Sequence, residues 1–534
     1  LTKWIQEGDK TGLVKALPAV GIILSGIFFR LYQSTEQILV DDEWHAVHKI
    51  LMSDYWGIFT DFGMADHCIP FTLLYEFLLN KLWISELMMR LPSITAGFLA
   101  LLVVPLLLRR IIGNKAAVVT ACLLSISPLH VFYSRIARPY ALSMLLSFIA
   151  VRAFYFWWTE KGKAWISVYV ITGVSSVWCL LPALPFVAGP FLFAVLHSAF
   201  RKDLKHGVRR LLVPGISFIV GLLVLLLPPF MSKPGAIWEK AGRDTVTVQS
   251  LIGSCELFAG TSHLWLVVVM TLLSAAGVFI LIRKNSLFGL YSLVLVWLQI
   301  IGFLIAGPLG SPMSILLNRY AIAVLPFILA WVALPLVQKT GIKWRSKTIK
   351  YSFILLFFLL LFFGPFREIY FYPNHLTNYA GFQISYDLGR LRKMIKPPDV
   401  PPFYRELAGF ENGQKIVLEA PWHYNDNIYG FYQWLHRQHM YIGFVGDLDG
   451  TFRAGEVPVN DSRFRFRNFM HVSDFRKIEK RGVDFVIFHK ELEKERVSDI
   501  PVYVANVRNW IEMYRERYGQ PEYEDHLLTV FRIP

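Results

Sequence analysis

Two neighbouring stretches decide the fold class: LVKALPAVGIILSGIFFRL at residues 13–31, and the acids Asp41-Asp42-Glu43 shortly after it. The first is long and apolar enough to cross the hydrocarbon layer of a membrane as a helix. The acids then mark a membrane–water boundary, where one member of a carboxylate cluster is able to act as a base near neutral pH. The alternative interpretation is structural, because acids also commonly end a helix at such an interface.

The composition places the chain among polytopic membrane proteins. Of its 534 residues, 54% are hydrophobic and only 17% are charged, and the formal net charge is +15. Residues 367–534 hold 23 basic and 23 acidic residues, so the whole positive excess lies in the first 366. Such a distribution is typical of membrane topology rather than of nucleic-acid binding, and we expect no nucleic-acid partner.

Apolar runs predict eleven transmembrane helices in a domain of residues 1–366. The predicted spans are Leu13–Leu31, Pro92–Leu108, Ala116–Phe132, Tyr140–Trp158, Trp165–Leu181, Pro182–Phe200, Leu211–Phe230, Leu264–Ile282, Leu287–Ala306, Tyr320–Leu336 and Tyr351–Pro365. Basic residues collect in alternate turns, as at Arg109-Arg110 and Arg209-Arg210, which predicts a cytoplasmic N-terminus. The first span reads as an uncleaved anchor.

The same alternation assigns the first loop, residues 32–91, to the outer side. The run Phe71–Trp83 is too short to span comfortably and contains Glu76 and Lys81, so we expect an amphipathic helix on the outer leaflet. Residues 367–534 are predicted to form a soluble α/β domain, and an odd number of spans places it on the outer, extracytoplasmic side of the membrane. Its predicted elements are strands at Lys415–Ala420, His439–Val445, Asp484–His489 and Leu527–Ile533, and helices at Asn427–His436 and Val507–Tyr518.

Four cysteines are too few for a disulfide framework. Cys122 and Cys179 fall within predicted spans and read as small core residues. Cys68 and Cys255 fall in loops assigned to the outside, so a bridge between those two is the pairing that the topology leaves open.

Several short motifs, taken in order, carry a family resemblance. They are Asp42-Glu43 after the first span, His67-Cys68-Ile69-Pro70, Arg90-Leu91-Pro92-Ser93, Ser127-Pro128, Ala137-Arg138-Pro139-Tyr140, Arg319-Tyr320 and the closing Tyr518–Asp525. Together they resemble the C-type (GT-C fold) superfamily of membrane glycosyltransferases, in the branch of protein mannosyltransferases and aminoarabinose transferases. The chain departs from that pattern in three places. Ile69 replaces a lysine found in some relatives, and Ile136-Ala137 lacks the acid that often precedes the arginine–proline–tyrosine motif. The end of the fifth span, around Cys179, lacks a histidine that is common there.

The resemblance implies transfer of a sugar from a polyprenyl phosphate to an acceptor hydroxyl at the outer face, with inversion at the anomeric carbon. The acceptor is a glycan, a lipid or a protein. An attacking hydroxyl has to lose its proton, and the family pattern puts Asp42 in the place of that general base, with Glu43 and Asp41 beside it. The family resemblance also implies an integral protein of the bacterial or archaeal plasma or inner membrane.

The leaving phosphate calls for cations near it in a partly dry site. Arg138 is the first candidate and Arg319 the second, because both begin predicted spans at the outer face; Arg135 and Arg243 are weaker candidates. His67 is a further candidate ligand, and Tyr140 a candidate to stack on the sugar or the prenyl chain. Each has a structural alternative: a snorkelling arginine, a histidine beside a turn, or an aromatic residue of the interfacial belt.

Two other functional classes fit parts of the sequence. A transporter or flippase would need acids or broken helices at the bilayer midplane, and a scaffold would need only a tail that recruits partners. Asp41, Asp42, Glu43, His45 and His48 can also be drawn as a divalent-cation site. Adjacent residues rarely all reach one ion, so we assign no metal and leave open only a loosely bound divalent cation.

Overall fold

The structure is a computed structural model of the full chain. It describes residues 10–32, 34, 39, 43–63, 67–160, 162–235, 241–242, 244–308, 314–337, 346–363, 400–421, 432–433, 435–444, 462–466, 469–490 and 507–534. Packing divides the chain into two compact units. The first comprises Leu1–Tyr32, Phe59–Phe71 and Arg90–Gly364; the second comprises Gln33–Ile58, Thr72–Met89 and Pro365–Pro534.

The first unit is built almost entirely of helices, and every predicted span coincides with a helix or with a bent pair of helices. The helices are Lys10–Leu31, Glu86–Ile112, Asn114–Ile126, Pro128–Ser134, Tyr140–Glu160, Ala164–Cys179, Leu184–Phe200, Leu204–Ser232, Val248–Ala259, Leu264–Lys284, Ser286–Ala306, Ser314–Tyr320, Leu325–Val337 and Ser346–Phe362, with short 3₁₀ turns at Leu181–Ala183 and Ile322–Val324. Helix Val248–Ala259 lies in a stretch for which the sequence predicted only a loop.

Within the described ranges, six helices are long and apolar enough to cross a membrane, or eight if each bent pair is one span. The count of eleven spans therefore stays a prediction. Helix Ala164–Cys179 shows why the two counts differ. It overlaps a predicted span and is apolar, but its 16 residues are fewer than a helix usually needs to cross a membrane.

Two of the candidate spans are sharply bent. Helices Asn114–Ile126 and Pro128–Ser134 meet at 61°, and Ser314–Tyr320 meets the following helical segment at 60°. Pro128 explains the first bend, because proline lacks an N–H and restricts the residue before it to an extended backbone, here Ser127 with ψ 113°. The second break includes a 3₁₀ turn at Ile322–Val324, and the helix that follows begins with Leu325-Pro326.

Two helices of the first unit cross so closely at Gly277 that no side chain fits there. A methyl group added there would collide with the backbone carbonyl of Trp331 and lie 2.8 Å from its Cα atom. Gly277 belongs to helix Leu264–Lys284 and Trp331 to helix Leu325–Val337. Because backbone cannot move aside as a side chain does, only glycine permits this approach.

We therefore expect Gly277→Ala to destabilise the first unit by about 1–3 kcal/mol through overpacking. The measurement is thermal unfolding of the purified protein in detergent. Gly215→Ala is the matched control, because a methyl group there lies 3.6 Å from Phe191, an ordinary contact, and alanine favours the helix. Equal melting temperatures for the two variants would contradict the close crossing.

The second unit contains a six-stranded sheet: β1 Ile416–Ala420, β2 His439–Phe444, β3 Phe469–His471, β4 Phe485–His489, β5 Tyr523–Glu524 and β6 Leu528–Arg532, in the order β3-β2-β1-β4-β6-β5. Strands β1 to β4 pair in parallel, with Val417 opposite both Met440 and Phe485, and β6 pairs antiparallel with β4 and β5. The four predicted strands are thus confirmed within one or two residues at their ends, whereas β3 and β5 were not predicted.

The remaining helices of this unit are short or amphipathic. They are Trp44–Met52, Tyr55–Phe59, Ile69–Lys81, Pro402–Leu407, Phe475–Lys480 and Val507–Tyr518, of which Tyr55–Phe59 and Ile69–Lys81 extend into the first unit. Helix Val507–Tyr518 agrees with its predicted bounds and puts Ile511 and Tyr514 into the sheet core. A helix was also expected at Phe71–Trp83, and its position on a membrane surface stays a prediction.

A polar cluster is buried at the two central strands of the sheet, β1 and β4. Glu419 is fully buried on β1, and its carboxyl accepts hydrogen bonds from Tyr404 Oη at 2.9 Å and from His489 Nε2 at 2.7 Å. Glu419 and His489 stand near the carboxyl ends of two adjacent parallel strands, and the ring of Tyr404 stacks on Tyr432 at 4.0 Å. We call Tyr404, Glu419 and His489 the sheet cluster.

Candidate functional site

A cavity of about 350 Å³ in the first unit gathers several of the predicted site residues. Its described lining is Phe62, His67, Cys68, Ile69, Arg138, Pro139, Tyr140, Trp178, Cys179, Leu180, Leu181, Pro182, Leu184, Pro185, Ala241, Gly302, Phe303, Ala306, Pro308 and Tyr320. Within this described lining there is no carboxylate, and most walls are apolar. The volume and the mixture of apolar walls with a few polar groups are typical of small-molecule sites.

Arg138 is held in the cavity wall by backbone contacts. It lies in the bend between helices Pro128–Ser134 and Tyr140–Glu160, and its carbonyl accepts a hydrogen bond from Ser93 Oγ at 2.6 Å. Ser93 comes from helix Glu86–Ile112, so two separate sequence motifs meet at this bond. The backbone of Arg138 is therefore anchored at the place where this residue lines the cavity.

Tyr140 brings two guanidinium groups together. The guanidinium carbon of Arg138 lies 5.9 Å from the centre of the Tyr140 ring, and that of Arg319 lies 5.7 Å from it. Arg319 also donates to Tyr320 Oη at 3.3 Å, and Tyr320 lines the cavity. A cation over an aromatic face is stabilised by the ring quadrupole, by about 0.5–2 kcal/mol according to exposure. The arrangement concentrates positive charge beside apolar walls.

His67 is nearly buried and also lines the cavity. Its Nε2 donates to the backbone carbonyl of Asp61 at 2.9 Å, which fixes the ring orientation. Three predicted binding residues, Arg138, Tyr140 and His67, are thus brought to one cavity, and Arg319 touches its rim through Tyr140 and Tyr320.

Arg135 has a different environment. It is nearly buried, its Nη1 donates to the carbonyl of Phe29 at 3.0 Å, and it is absent from the described lining of the cavity. This bond ties the bend to the first helix, Lys10–Leu31. Arg243 lies outside the described residues. Phosphate binding by either residue stays a prediction.

The acidic motif falls mainly outside the described residues, which include Glu43 but neither Asp41 nor Asp42. Glu43 is fully buried at the start of helix Trp44–Met52, in the second unit. The described residues that flank the motif are tied together, because Trp44 Nε1 donates to the carbonyl of Leu39 at 3.2 Å. The Trp44 ring packs at 5.1 Å on Phe469. The base role of Asp42 and a divalent-cation site stay predictions.

Gln299 is a positioning residue that the sequence reasoning missed. Its Nε2 donates to the carbonyls of Pro182 at 2.8 Å and Tyr320 at 2.9 Å, and its Oε1 accepts from the N–H of Phe186 at 3.0 Å. Two of these partners, Pro182 and Tyr320, line the cavity at breaks between helices. The signal in the sequence was a lone amide in an otherwise apolar span, a kind of residue that usually has a specific partner.

The hydrogen bond between Ser93 and Arg138 joins two sequence motifs, and both motifs lie in a segment that matches a known protein family. Residues 73–227 match the family of dolichyl-phosphate-mannose-protein mannosyltransferases. The resemblance predicted from the motifs is thereby confirmed. The mannosyltransferase match includes Arg138 and Tyr140, whereas the acids at 41–43, His67 and Arg319 lie outside it. No curated protein sequence matches the chain.

Comparison with solved structures gives matches to an ArnT and to an oligosaccharyltransferase. ArnT from Cupriavidus metallidurans is 13% identical, with 98% of each chain covered; the TM-score is 0.46 for its complex with undecaprenyl phosphate and 0.48 for its apo state. The oligosaccharyltransferase of Archaeoglobus fulgidus in complex with Zn and sulfate is 14% identical over 89% of this chain and 68% of that chain, with a TM-score of 0.42.

Proposed function

We propose that the protein transfers a sugar from a polyprenyl-phosphate carrier to an acceptor hydroxyl at the outer face of the membrane. The observation that carries the proposal is the cavity of the first unit, in which Arg138 and Tyr140 stand beside long apolar walls. A lipid phosphate has the matching chemistry, because it joins an anionic head to an isoprenoid chain. Arg138 and Arg319 bind the phosphate, and the apolar lining receives the first isoprene units.

In the proposed reaction the acceptor oxygen forms a bond to the anomeric carbon while the bond from that carbon to the phosphate oxygen breaks. Asp42 takes the hydroxyl proton, and the polyprenyl phosphate leaves with the bonding electron pair. Attack on the face opposite the phosphate inverts the anomeric configuration. The two guanidinium groups stabilise the charge that develops on the leaving phosphate, an interaction that is strongest in a site with little water.

Arg138→Ala tests this assignment through donor binding. Removal of one charge-assisted hydrogen bond of about 1.5–3 kcal/mol is expected to weaken the affinity for a polyprenyl phosphate about 10- to 100-fold. Arg138→Lys is expected to recover part of the affinity, because lysine keeps the charge but loses the planar fork. The measurement is a titration of the purified protein with a short-chain polyprenyl phosphate.

Arg209→Ala is the matched control, because Arg209 is an exposed arginine of helix Leu204–Ser232 and is not among the described lining residues. Unchanged affinity in Arg138→Ala would contradict the phosphate site. Reconstituted vesicles that move the donor without forming a glycosidic product would instead favour a transporter.

A further inference from the structure

Two thiols meet in the cavity wall. The side chains of Cys68 and Cys179 are close enough to interact with each other, and both residues belong to the described lining of the cavity. They are 7% and 8% exposed, so they are shielded from bulk solvent but adjoin the cavity space. The remaining cysteines have other surroundings: Cys122 is buried inside helix Asn114–Ile126, and Cys255 is exposed on helix Val248–Ala259.

Both thiols lie at the ends of helices. Cys68 directly precedes helix Ile69–Lys81, and Cys179 is the last residue of helix Ala164–Cys179, before Leu180 with an extended backbone. A disulfide requires the sulfur atoms to approach to about 2 Å with a restricted torsion. The ends of helices can make this small adjustment without breaking the hydrogen bonds of a helix interior.

We propose that Cys68 and Cys179 form a disulfide when the protein meets a thiol–disulfide oxidant, which links two walls of the cavity covalently. The inference is independent of the proposed sugar transfer, because it depends only on the two thiols and their surroundings. It also differs from the pairing of Cys68 with Cys255 that the predicted topology left open.

The exchange proceeds in two balanced steps. One cysteine thiolate attacks a sulfur of the oxidant disulfide, forms a mixed disulfide and releases one oxidant thiolate. The second cysteine thiolate then attacks the protein sulfur of the mixed disulfide, forms the bond between Cys68 and Cys179, and displaces the other oxidant thiolate. The oxidant gains two electrons, and the two cysteine protons are transferred to the released thiolates or to water.

The disulfide closes a long loop of chain between positions 68 and 179. Closing a long loop removes conformational freedom from the unfolded chain, so the oxidised protein resists unfolding better than the reduced one. Because both residues line the cavity, the bond also fixes the separation of its two walls.

The test uses the full-length protein in detergent, treated either with oxidised glutathione or with dithiothreitol. After oxidation we expect two of the four thiols to escape alkylation under denaturing conditions, and the intact mass to fall by about 2 Da for the two hydrogens lost. A protease map is expected to link the peptides that contain Cys68 and Cys179. Oxidation is also expected to raise the melting temperature.

Single-residue variants distinguish a disulfide between Cys68 and Cys179 from disulfides that involve Cys122 or Cys255. Cys68→Ser and Cys179→Ser are each expected to abolish the link and the rise in melting temperature, whereas Cys255→Ser retains both. Four alkylated thiols after oxidation, or a link that involves Cys122 or Cys255, would overturn the proposal. The wild-type peptide map decides the question by itself, so a serine variant that fails to fold does not weaken the test.

Discussion

Asp42→Asn is expected to lower sugar transfer about 100- to 10,000-fold, the range that a positioned general base contributes. Asparagine keeps the size and the hydrogen-bonding oxygen of aspartate but does not accept the proton of the attacking hydroxyl. Donor affinity is expected to remain nearly unchanged, because the phosphate contacts are assigned to arginines. The measurement is single-turnover transfer from a polyprenyl-phosphate sugar, with the donor titration run in parallel.

Two comparisons make the Asp42 experiment specific. Asp203→Asn is the matched control, because Asp203 is exposed before helix Leu204–Ser232 and makes no side-chain capping hydrogen bond. Asp41→Asn tests whether the neighbouring acid substitutes for Asp42. Turnover close to wild type in Asp42→Asn, with normal expression and folding, would rule out Asp42 as the base.

His489→Ala is expected to destabilise the sheet of the second unit by about 1–3 kcal/mol, the usual cost of taking a hydrogen-bond partner away from a buried polar group. Glu419 is fully buried, and His489 Nε2 lies 2.7 Å from its carboxyl. Without that donor, the carboxyl keeps the Tyr404 hydroxyl at 2.9 Å but loses its hydrogen-bond donor on β4. Hydrogen exchange of the amides of β1 and β4 measures the effect as a loss of protection of about 5- to 150-fold.

His526→Ala is the control for this second prediction, because His526 is an exposed histidine near the end of the same chain segment. The triple variant Tyr404→Phe, Glu419→Leu and His489→Leu replaces the sheet cluster by apolar groups. It is expected to recover most of the protection, since apolar replacement of a whole buried network is often nearly neutral. Unchanged exchange in His489→Ala would mean that the sheet does not depend on the pair.

The sequence predicted the helices of the first unit well because a membrane imposes a strong and simple requirement for long apolar runs. It did not predict where they bend, although Pro128 stood in one predicted span, because a proline in a span need not break it. In the sheet, the missed strands β3 and β5 have three and two residues. Runs that short show no usable alternation of polar and apolar residues.

The candidate site was predictable where chemistry required a particular residue type next to a helix end. Arg138 was singled out in this way, whereas His67 and Tyr140 were taken from motifs of the family resemblance, and all three line one cavity. The contact between Cys68 and Cys179 and the three hydrogen bonds of Gln299 were not predictable, because each joins residues far apart in the sequence. No local pattern encodes such a meeting of distant segments.

The two outermost strands of the sheet are very short, and this limits how the sheets of two copies of the protein can associate. Among the described residues, strand β3, Phe469–His471, and strand β5, Tyr523–Glu524, form the two borders of the sheet. A border of two or three residues offers a neighbouring copy very few backbone donors and acceptors on which to build a further strand. Within the described part of the sheet, such short borders leave little backbone through which two copies could join edge to edge.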